Sequence, residues 1–439
     1  MKLRVIGPLD HNFPLVNGKL VEDPLSDHPD AGRPLDLRGS AGAVREIRPG
    51  RYRFLRDPLG INKLFWAVSD DGTVLLASRP HRLVSAGCPF SAIHAIKPGV
   101  LLEVDFSQET SEQEPLLPTL LADSGPHSAN LERIAASISD ELAGYCEALA
   151  SMYSERRIFV CMSGGLDSTG AAVELREHFS DVTAISFDLK RPSRAASEDR
   201  LTAERLASDL KMPLMDVTVT EDELLEPLDR VLIEGVDWRD FNVHAALVNA
   251  AMARAIAAEL DSSTDAAIVF TGDLMNEFLV DYHAESYLGN VYYRLPRLSA
   301  KSLRRVLVRG VETSHREVGI FEAWSIPVVQ LYAVAAHLYC SLPHEFLEAE
   351  RNKERLSRLV FGNRIPEYVY RRQKTRAQIG DPATGKGVLA LCIDHGIDQE
   401  WLRSRFAALH SVVDNAELDR FINAGRYRSA TPLAGRNNG

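Results

Sequence analysis

The sequence predicts an α/β protein: a β-rich N-terminal domain, then a doubly wound parallel sheet with a helical C-terminal part. Three observations predict it. Short apolar runs broken by turn signals fill the first hundred residues. From residue 131, short apolar strands alternate with helical stretches, the grammar of a parallel sheet. From about Tyr292 onward the spacing is mostly helical. At 439 residues the chain has room for two or three domains. With 45% hydrophobic and 25% charged residues it is neither disordered, collagen-like nor a small disulfide scaffold.

In the N-terminal part, the strand candidates are Arg53–Leu55, Leu64–Val68, Thr73–Ala77 and Val100–Val104, separated by Asp-Pro and Asp-Asp-Gly turns. Ser107 to Ser128 is rich in Ser, Glu, Pro and Thr and reads as a linker. The expected division is therefore residues 1–106, a linker at 107–128, and a second domain at 129–439.

In the second part, a helix is expected at Leu131–Tyr153 and a buried strand at Ile158–Met162. Ser168–His178 follows as a helix, Val182–Phe187 as a strand, and Ser197–Leu210 as a helix. Leu214–Val219 is a third strand, His244–Leu260 an Ala-rich helix and Ala266–Phe270 a fourth strand. Ile326 to Leu342 is the most apolar stretch, but it is shorter than the roughly 20 residues of a membrane span. It also contains Gln330 and His337, so a buried helix is expected. Met1-Lys2-Leu3-Arg4 is not followed by an apolar signal core, and a soluble cytoplasmic protein is expected.

The charge balance, 50 Lys+Arg against 61 Asp+Glu, gives −11 and argues against nucleic acid as a partner. Arg304-Arg305 and Arg371-Arg372 are short basic clusters of the kind found on solvated helix faces and ends. Five scattered cysteines (Cys88, Cys146, Cys161, Cys340, Cys392) form no CxxC pair, which argues against a cysteine-rich zinc site. Each reads as a small buried apolar residue.

The strongest local signal is Ser163-Gly164-Gly165-Leu166-Asp167-Ser168, between an expected strand and an expected helix. Two adjacent glycines let the backbone turn tightly and bring its N–H groups to an anion. The helix behind them aims its N-terminal dipole at the same point. Ser163, Ser168 and Thr169 add hydroxyls. Asp167 would repel a bare phosphate, so its presence in such a cradle points to an intervening Mg²⁺. Together these parts describe a pyrophosphate site with a metal. A Gly-Gly turn alone would be an ordinary strand–helix connection; the full hexapeptide in this setting is far more specific. It is not a Walker A loop, because no lysine follows the glycines. A near match at Gly380–Lys386 ends in Gly387 instead of Ser or Thr, follows no apolar strand, and reads as a surface loop.

A second signal, Thr271-Gly272-Asp273-Leu274-Met275-Asn276-Glu277 with Asp281 beyond it, also follows a strand. Ligands collect at the carboxyl ends of strands in open parallel sheets, so the two motifs should meet in one crevice. Asp273 and Glu277 can join Asp167 around a metal or handle a proton. An acid-rich helix N-terminus would give the same local pattern. A third signal is the basic run Arg371 to Gln378, which can stabilise charge on a leaving pyrophosphate or simply be a solvated segment. His244, His283 and His315 read as hydrogen-bonded structural residues rather than catalytic ones.

These segments resemble the asparagine synthetase family, which includes β-lactam synthetases and lasso-peptide cyclases. Ser163–Ser168 is similar to its ATP-pyrophosphatase loop, and Thr271-Gly272-Asp273 to its second nucleotide and metal motif. Arg56–Ile61 with Leu64-Phe65, Leu76–Ser78 and Ile96–Gly99 resemble its N-terminal domain. Leu295–Leu298, Arg309–Glu312 and Ser341–Pro343 resemble its helical segment, and Arg372-Gln373-Lys374 its late lysine segment. The resemblance covers most of residues 50 to 380. It implies a degenerate Ntn-hydrolase-like N-terminal domain joined to an ATP-pyrophosphatase synthetase domain.

Two departures matter. The glutamine-using members carry a catalytic cysteine at the mature N-terminus, whereas this sequence begins Met1-Lys2-Leu3 and its first cysteine is Cys88. No glutaminase is therefore expected. The family's Gly-x-x-x-Asp acid falls on Asn276, a poorer Mg²⁺ ligand, so Asp273 or Glu277 takes over or one contact runs through water.

The resemblance implies an ATP- and Mg²⁺-dependent ligase. It adenylates a carboxylate, releases pyrophosphate and passes the acyl group to an amine. Ser163, Gly164, Gly165, Leu166, Asp167 and Ser168 would hold the nucleotide's phosphates, with Ser186, Phe187 and Gly272 around adenine. Asp167, Asn276 and Glu277 form the expected metal set; Lys374, Asp273 and Glu277 form the catalytic set. The partners expected are a small-molecule or peptide carboxylate and an amine or ammonia, with a homodimer allowed and no nucleic acid or membrane. An intermolecular amide synthetase of specialised biosynthesis is the leading reading. A lactam or macrolactam cyclase and a non-catalytic nucleotide-binding scaffold are the alternatives.

Overall fold

Alternation of side chains along the N-terminal strands builds two sheets packed face to face. The structure, a computed structural model, describes residues 2–26, 35–118, 120, 130–190, 196–260, 266–280, 285–287, 290–292, 299–307, 313–372, 387–422 and 427–433. The strands of these two sheets are β1 (Leu3–Val5), β2 (Gly42–Arg48), β3 (Arg51–Arg56), β4 (Phe65–Val68), β5 (Val74–Ala77), β6 (His94–Ala95), β7 (Val100–Asp105) and β8 (Thr110–Pro115). One sheet runs β1-β5-β4-β6 and the other β8-β7-β3-β2. Period-two alternation sends Tyr52, Phe54, Leu102 and Val104 inward to meet Trp66, Val74 and Leu76. The opposite face of β4 and β5, Phe65, Ala67, Leu75 and Ala77, enters the large core of the rest of the chain.

Strand β8 lies inside the stretch expected as a linker, which corrects that part of the expectation. The Asp105 carboxylate accepts from the N–H groups of Ser107 (2.9 Å) and Gln108 (3.1 Å) and turns the chain back. Thr110–Pro115 then pairs with β7 as an edge strand exposed along its whole length. It has no apolar face, so hydrophobic periodicity could not reveal it.

The Arg56–Gly60 turn is held by its own side chains. Arg56 donates to the carbonyls of Ile96 (2.6 Å), Asn62 (2.9 Å) and Gly60 (3.0 Å). Asp57 accepts from the backbone of Ile61 (2.9 Å), Asn62 (3.1 Å) and Ala41 (3.2 Å).

The second part opens with α1 (Leu131–Met152) and continues β9 (Arg157–Cys161), α2 (Leu166–His178), β10 (Val182–Leu189), α3 (Glu198–Leu210) and β11 (Leu214–Val219). Next come α4 (Asp240–Glu259), β12 (Ala267–Thr271), α5 (Met275–Leu279) and β13 (Val328–Gln330). The helices α6 (Asn352–Phe361) and α7 (Glu367–Arg371) lie further on. The sheet order is β11-β10-β9-β12-β13, with every pair parallel. Ile158, Phe159, Val160 and Ala267–Phe270 are buried without alternation, as a sheet covered on both faces requires. From β9 the chain winds outward to β10 and β11, then returns to place β12 on the other side of β9. The topological switch therefore lies between β9 and β12.

Two further expectations are corrected. Ile326–Leu342 is buried but is not one helix; it forms β13, a 3₁₀ turn at Leu331–Ala335 and a short helix at Ala336–Cys340. Pro327 and two valines favour extended backbone at its start, and a continuous apolar run carries no period to separate strand from helix. Arg304 is buried rather than solvated, and its guanidinium donates to the Leu342 carbonyl. Among the described residues no helix is long and apolar enough to cross a membrane.

Polar contacts tie the two parts together. Arg79, 1% exposed, pairs with Asp10 (2.8 Å) and Glu234 (3.0 Å). Near the C-terminus, Ala430 accepts from Trp66 Nε1 (2.9 Å), and the Arg428 carbonyl accepts from Ala95 N (2.8 Å).

Candidate functional site

A cavity of about 430 Å³ opens over the carboxyl ends of β9, β10 and β12, within the size range of small-molecule sites. The loop after β9 forms its floor. Gly164 has φ +71°, and a Cβ there would lie 2.5 Å from Thr202 Cγ2, so only glycine fits this turn against α3. Ser168 Oγ donates to the Gly165 carbonyl (3.1 Å) and accepts from Ser163 N (3.3 Å). Thr169 Oγ1 donates to the same Gly165 carbonyl (2.8 Å). These bonds fix the first turn of α2, whose N-terminus faces the cavity.

The second motif is packed directly on the first. A Cβ on Gly272 would lie 2.6 Å from the carbonyl carbon and oxygen of Asp167. The Asp167 carbonyl also accepts from Tyr332 OH (2.7 Å), so residues after three different strands meet at this point. Leu274 at the start of α5 has φ +81°, a strained conformation for a branched side chain beside the cavity.

Of the residues expected to bind nucleotide, Ser163, Gly165, Leu166, Asp167, Ser168, Ser186, Phe187 and Gly272 all line the cavity. Gly164 shapes the turn behind them. Ile185, Ser186 and Phe187 face Val248, Asn249 and Met252 of α4 across a largely apolar slot. Asp273 lines the cavity too, 3.2 Å from Arg316 Nη2. Arg316 Nε lies 2.5 Å from buried Glu317, which also accepts from Gln330 (2.5 Å). Burial, followed by the neighbouring Asp273 charge, pushes the Glu317 carboxyl well up.

The expected metal residues are arranged differently from expectation. Lys353 of α6 places Nζ 2.6 Å from Asp167 and 2.8 Å from Asn276 Oδ1. Glu277 is buried at 6% exposure and is not among the cavity-lining residues. The oxygens of Asp167 and Asn276 that would face a Mg²⁺ are already taken by the Lys353 ammonium, an arrangement that does not fit a protein-held divalent cation between them.

The basic run divides. Arg371 is exposed and pairs with Glu367 (3.2 Å). Arg372 is only 9% exposed; it donates to the Ser163 carbonyl (3.0 Å) and pairs with Glu198 (3.4 Å) and Asp199. Lys374 lies outside the described residues, as do Asp281, His283, Leu295–Leu298, Arg309–Glu312 and residues 380–386. His244 and His315 are buried at 1% exposure, and burial lowers His244 to about 4 and His315 well below the usual histidine range.

Sequence reasoning missed Lys353, Arg316 and Tyr332. Lys353 stands in Glu348-Ala-Glu-Arg-Asn-Lys-Glu-Arg355, a run with the composition of any solvated helix start. Tyr332 was hidden inside the long apolar run. Arg316 had no motif to mark it.

Residues 147–318 match the family model described as asparagine synthase. No curated protein sequence matches the chain significantly. Among solved structures it is similar to an NMN synthetase from Francisella tularensis, at 12% identity over 68% of this chain and 98% of that one, TM-score 0.31. It is also similar to an NH₃-dependent NAD synthetase from Campylobacter jejuni, at 14% identity over 41% of this chain and 72% of that one, TM-score 0.25.

Proposed function

We propose that this chain, whose residues 147–318 form an asparagine synthase-type domain of an ATP-dependent synthetase, adenylates a substrate carboxylate and passes the acyl group to an amine or ammonia. The observation that carries the reading is the meeting of the two polar motifs at the switch point between β9 and β12. ATP would enter as its magnesium complex, the metal arriving with the substrate.

The residues suit the first half-reaction. Attack of the carboxylate on the α-phosphate forms an acyl–phosphate bond and breaks the α–β bond, so negative charge grows on the leaving pyrophosphate. Fixed donors aimed at that charge lower the barrier. They would be the Ser163 hydroxyl and the N–H groups at the N-terminus of α2, with Ser168, which donates to the Gly165 carbonyl, holding that turn in shape. Arg372 anchors the chain at the Ser163 carbonyl, and Lys374, from the late lysine segment, is the candidate to meet the same charge. The slot between Ser186–Phe187 and α4 would take the adenine.

In the second half-reaction the amine attacks the acyl carbon, AMP leaves with its bonding electrons, and the nitrogen sheds a proton. Asp273, oriented by Arg316, is the candidate to accept that proton. The five cysteines support an amine that does not come from glutamine. Cys88, Cys146, Cys340 and Cys392 are buried, and burial pushes up all five thiols, to about 12 for Cys340 and Cys392.

The test is carboxylate-dependent exchange of labelled pyrophosphate into ATP across a panel of acids. The expected result is exchange by the wild type and none by Asp167→Ala with the fold retained. ATP binding without exchange or AMP release for any acid would instead favour a scaffold. Amide formation surviving Asp167→Ala would refute the site assignment.

A further inference from the structure

The side chains of Asp167 and Asn276 come from different motifs, yet both face Lys353 at the start of α6. Lys353 Nζ is 2.6 Å from each carboxylate oxygen of Asp167 and 2.8 Å from Asn276 Oδ1. Its side chain is 11% exposed, so the ammonium is held in place rather than waving in solvent. We propose that Lys353 is a built-in cation filling the position between the two motifs. The protein then holds no divalent cation of its own there and takes Mg²⁺ only as part of the nucleotide complex. The inference rests on the nucleotide-site reading above.

Charge and donor chemistry support it. The Lys353 ammonium faces the Asp167 carboxylate and the neutral Asn276 amide together. An ammonium only donates, so the amide must offer its oxygen, as it does. A Mg²⁺ bound to the same oxygens would sit against the fixed positive charge of Lys353 Nζ, which already takes both Asp167 oxygens and Asn276 Oδ1.

The rest of the cavity repeats the pattern. Among the described residues, its lining carboxylates are Asp167, Asp199, Asp273 and Glu354. Asp199 is paired with Arg372, Asp273 with Arg316, and Glu354 with Arg351 and Arg358. Among the described residues, the one cluster with three metal-type donors in reach of each other is Glu174, Glu177 and His178. It is not part of the cavity lining, and Arg364 Nη1 already lies 2.9 Å and 2.7 Å from its two carboxylates.

The experiment is a Mn²⁺ titration of the full chain without nucleotide, following the electron paramagnetic resonance signal of free Mn²⁺. The wild type is expected to leave the signal unchanged at equimolar metal. The double variant Lys353→Met/Asn276→Asp, shown to be folded by circular dichroism, is expected to remove one equivalent. Stoichiometric Mn²⁺ uptake by the wild type that is lost in Asp167→Asn would overturn the proposal; this arm needs no rebuilt site. A folded double variant that binds no Mn²⁺ would also overturn it. ATP binding by equilibrium dialysis in Mg²⁺ separates the two readings: a wild type that binds no ATP sinks the nucleotide site itself, whatever the Mn²⁺ result.

Discussion

Gly272→Ala is the sharpest single test of the proposed crevice. Its backbone conformation is open to alanine, so strain in φ is not the issue. Contact is: the added Cβ would lie 2.6 Å from the Asp167 carbonyl carbon and oxygen and 2.8 Å from Ser168 N. These are backbone atoms, so no rotamer change can make room. Ordinary contact begins near 3.4 Å, so β12 and the β9–α2 loop must separate by about 0.8 Å. Overpacking of this kind costs about 1–3 kcal/mol of stability. The larger effect falls on function, because a shift approaching 1 Å at reacting groups can cost on the order of 10²-fold in rate. The assay is pyrophosphate–ATP exchange alongside thermal unfolding. A fall of about 10²-fold in exchange with a loss of only a few degrees in Tm is expected. Gly144→Ala is the control: it lies on α1 with no atom within 4 Å of a new Cβ, and exchange should not change. Wild-type exchange by Gly272→Ala would refute the claim that close packing of the two motifs builds the site.

Two other perturbations address the joint between the two parts and the acid limb. Arg79→Met leaves Asp10 and Glu234 without their buried partner and should cost about 3–5 kcal/mol in chemical denaturation; a loss under about 1 kcal/mol would show that this network does not anchor the joint. Burial holds His244 and His410 neutral, each lowered to about 4. Unfolded histidine takes its proton near 6.5, so between about pH 6.5 and 4 the unfolded state binds more protons and stability falls on acidification. Two and a half units at about 1.4 kcal/mol each give up to about 3 kcal/mol per histidine. Denaturation midpoints measured at pH 7.5, 6 and 5 should fall in that order, and a smaller slope is expected for His410→Asn; a flat profile in the wild type would contradict the burial argument.

The parallel sheet was legible because its strands are short, largely apolar and punctuated by helices. The expected strand at Leu214–Val219 matches residue for residue, and the other three differ by one or two residues at their ends. The loop at Ser163–Ser168 was legible because its glycines and hydroxyls are local requirements of one turn. Elements that depend on partners were not legible. Strand β8 is defined only by its pairing with β7, and β13 only by its seat beside β12. Arg304 and Arg372 look like surface residues in sequence, yet tertiary carbonyl and carboxylate acceptors hold them inside. Propensity cannot see such acceptors, because they arrive from distant parts of the chain.

The net charge of −11 illustrates the same limit from the other side. Taken alone, an acidic chain seems ill suited to an anionic substrate. The relevant quantity, however, is the local field at the cavity, and there each described lining carboxylate is matched by an arginine or lysine, which for Asp167, Asp199 and Asp273 comes from a distant part of the chain. Lys353 and Arg351 come from the α6 region, Arg372 from the end of α7, and Arg316 from the segment before β13. Screening attenuates the field of distant surface acids within about 10 Å at 0.1 M salt, while the buried pairs are little affected. An anion entering the crevice would therefore meet neutralised acids and oriented N–H dipoles rather than the average charge of the surface. The Lys353–Asp167–Asn276 contact is where this matters most, since the charge fixed there determines whether a metal must be held by the protein or can arrive with the nucleotide.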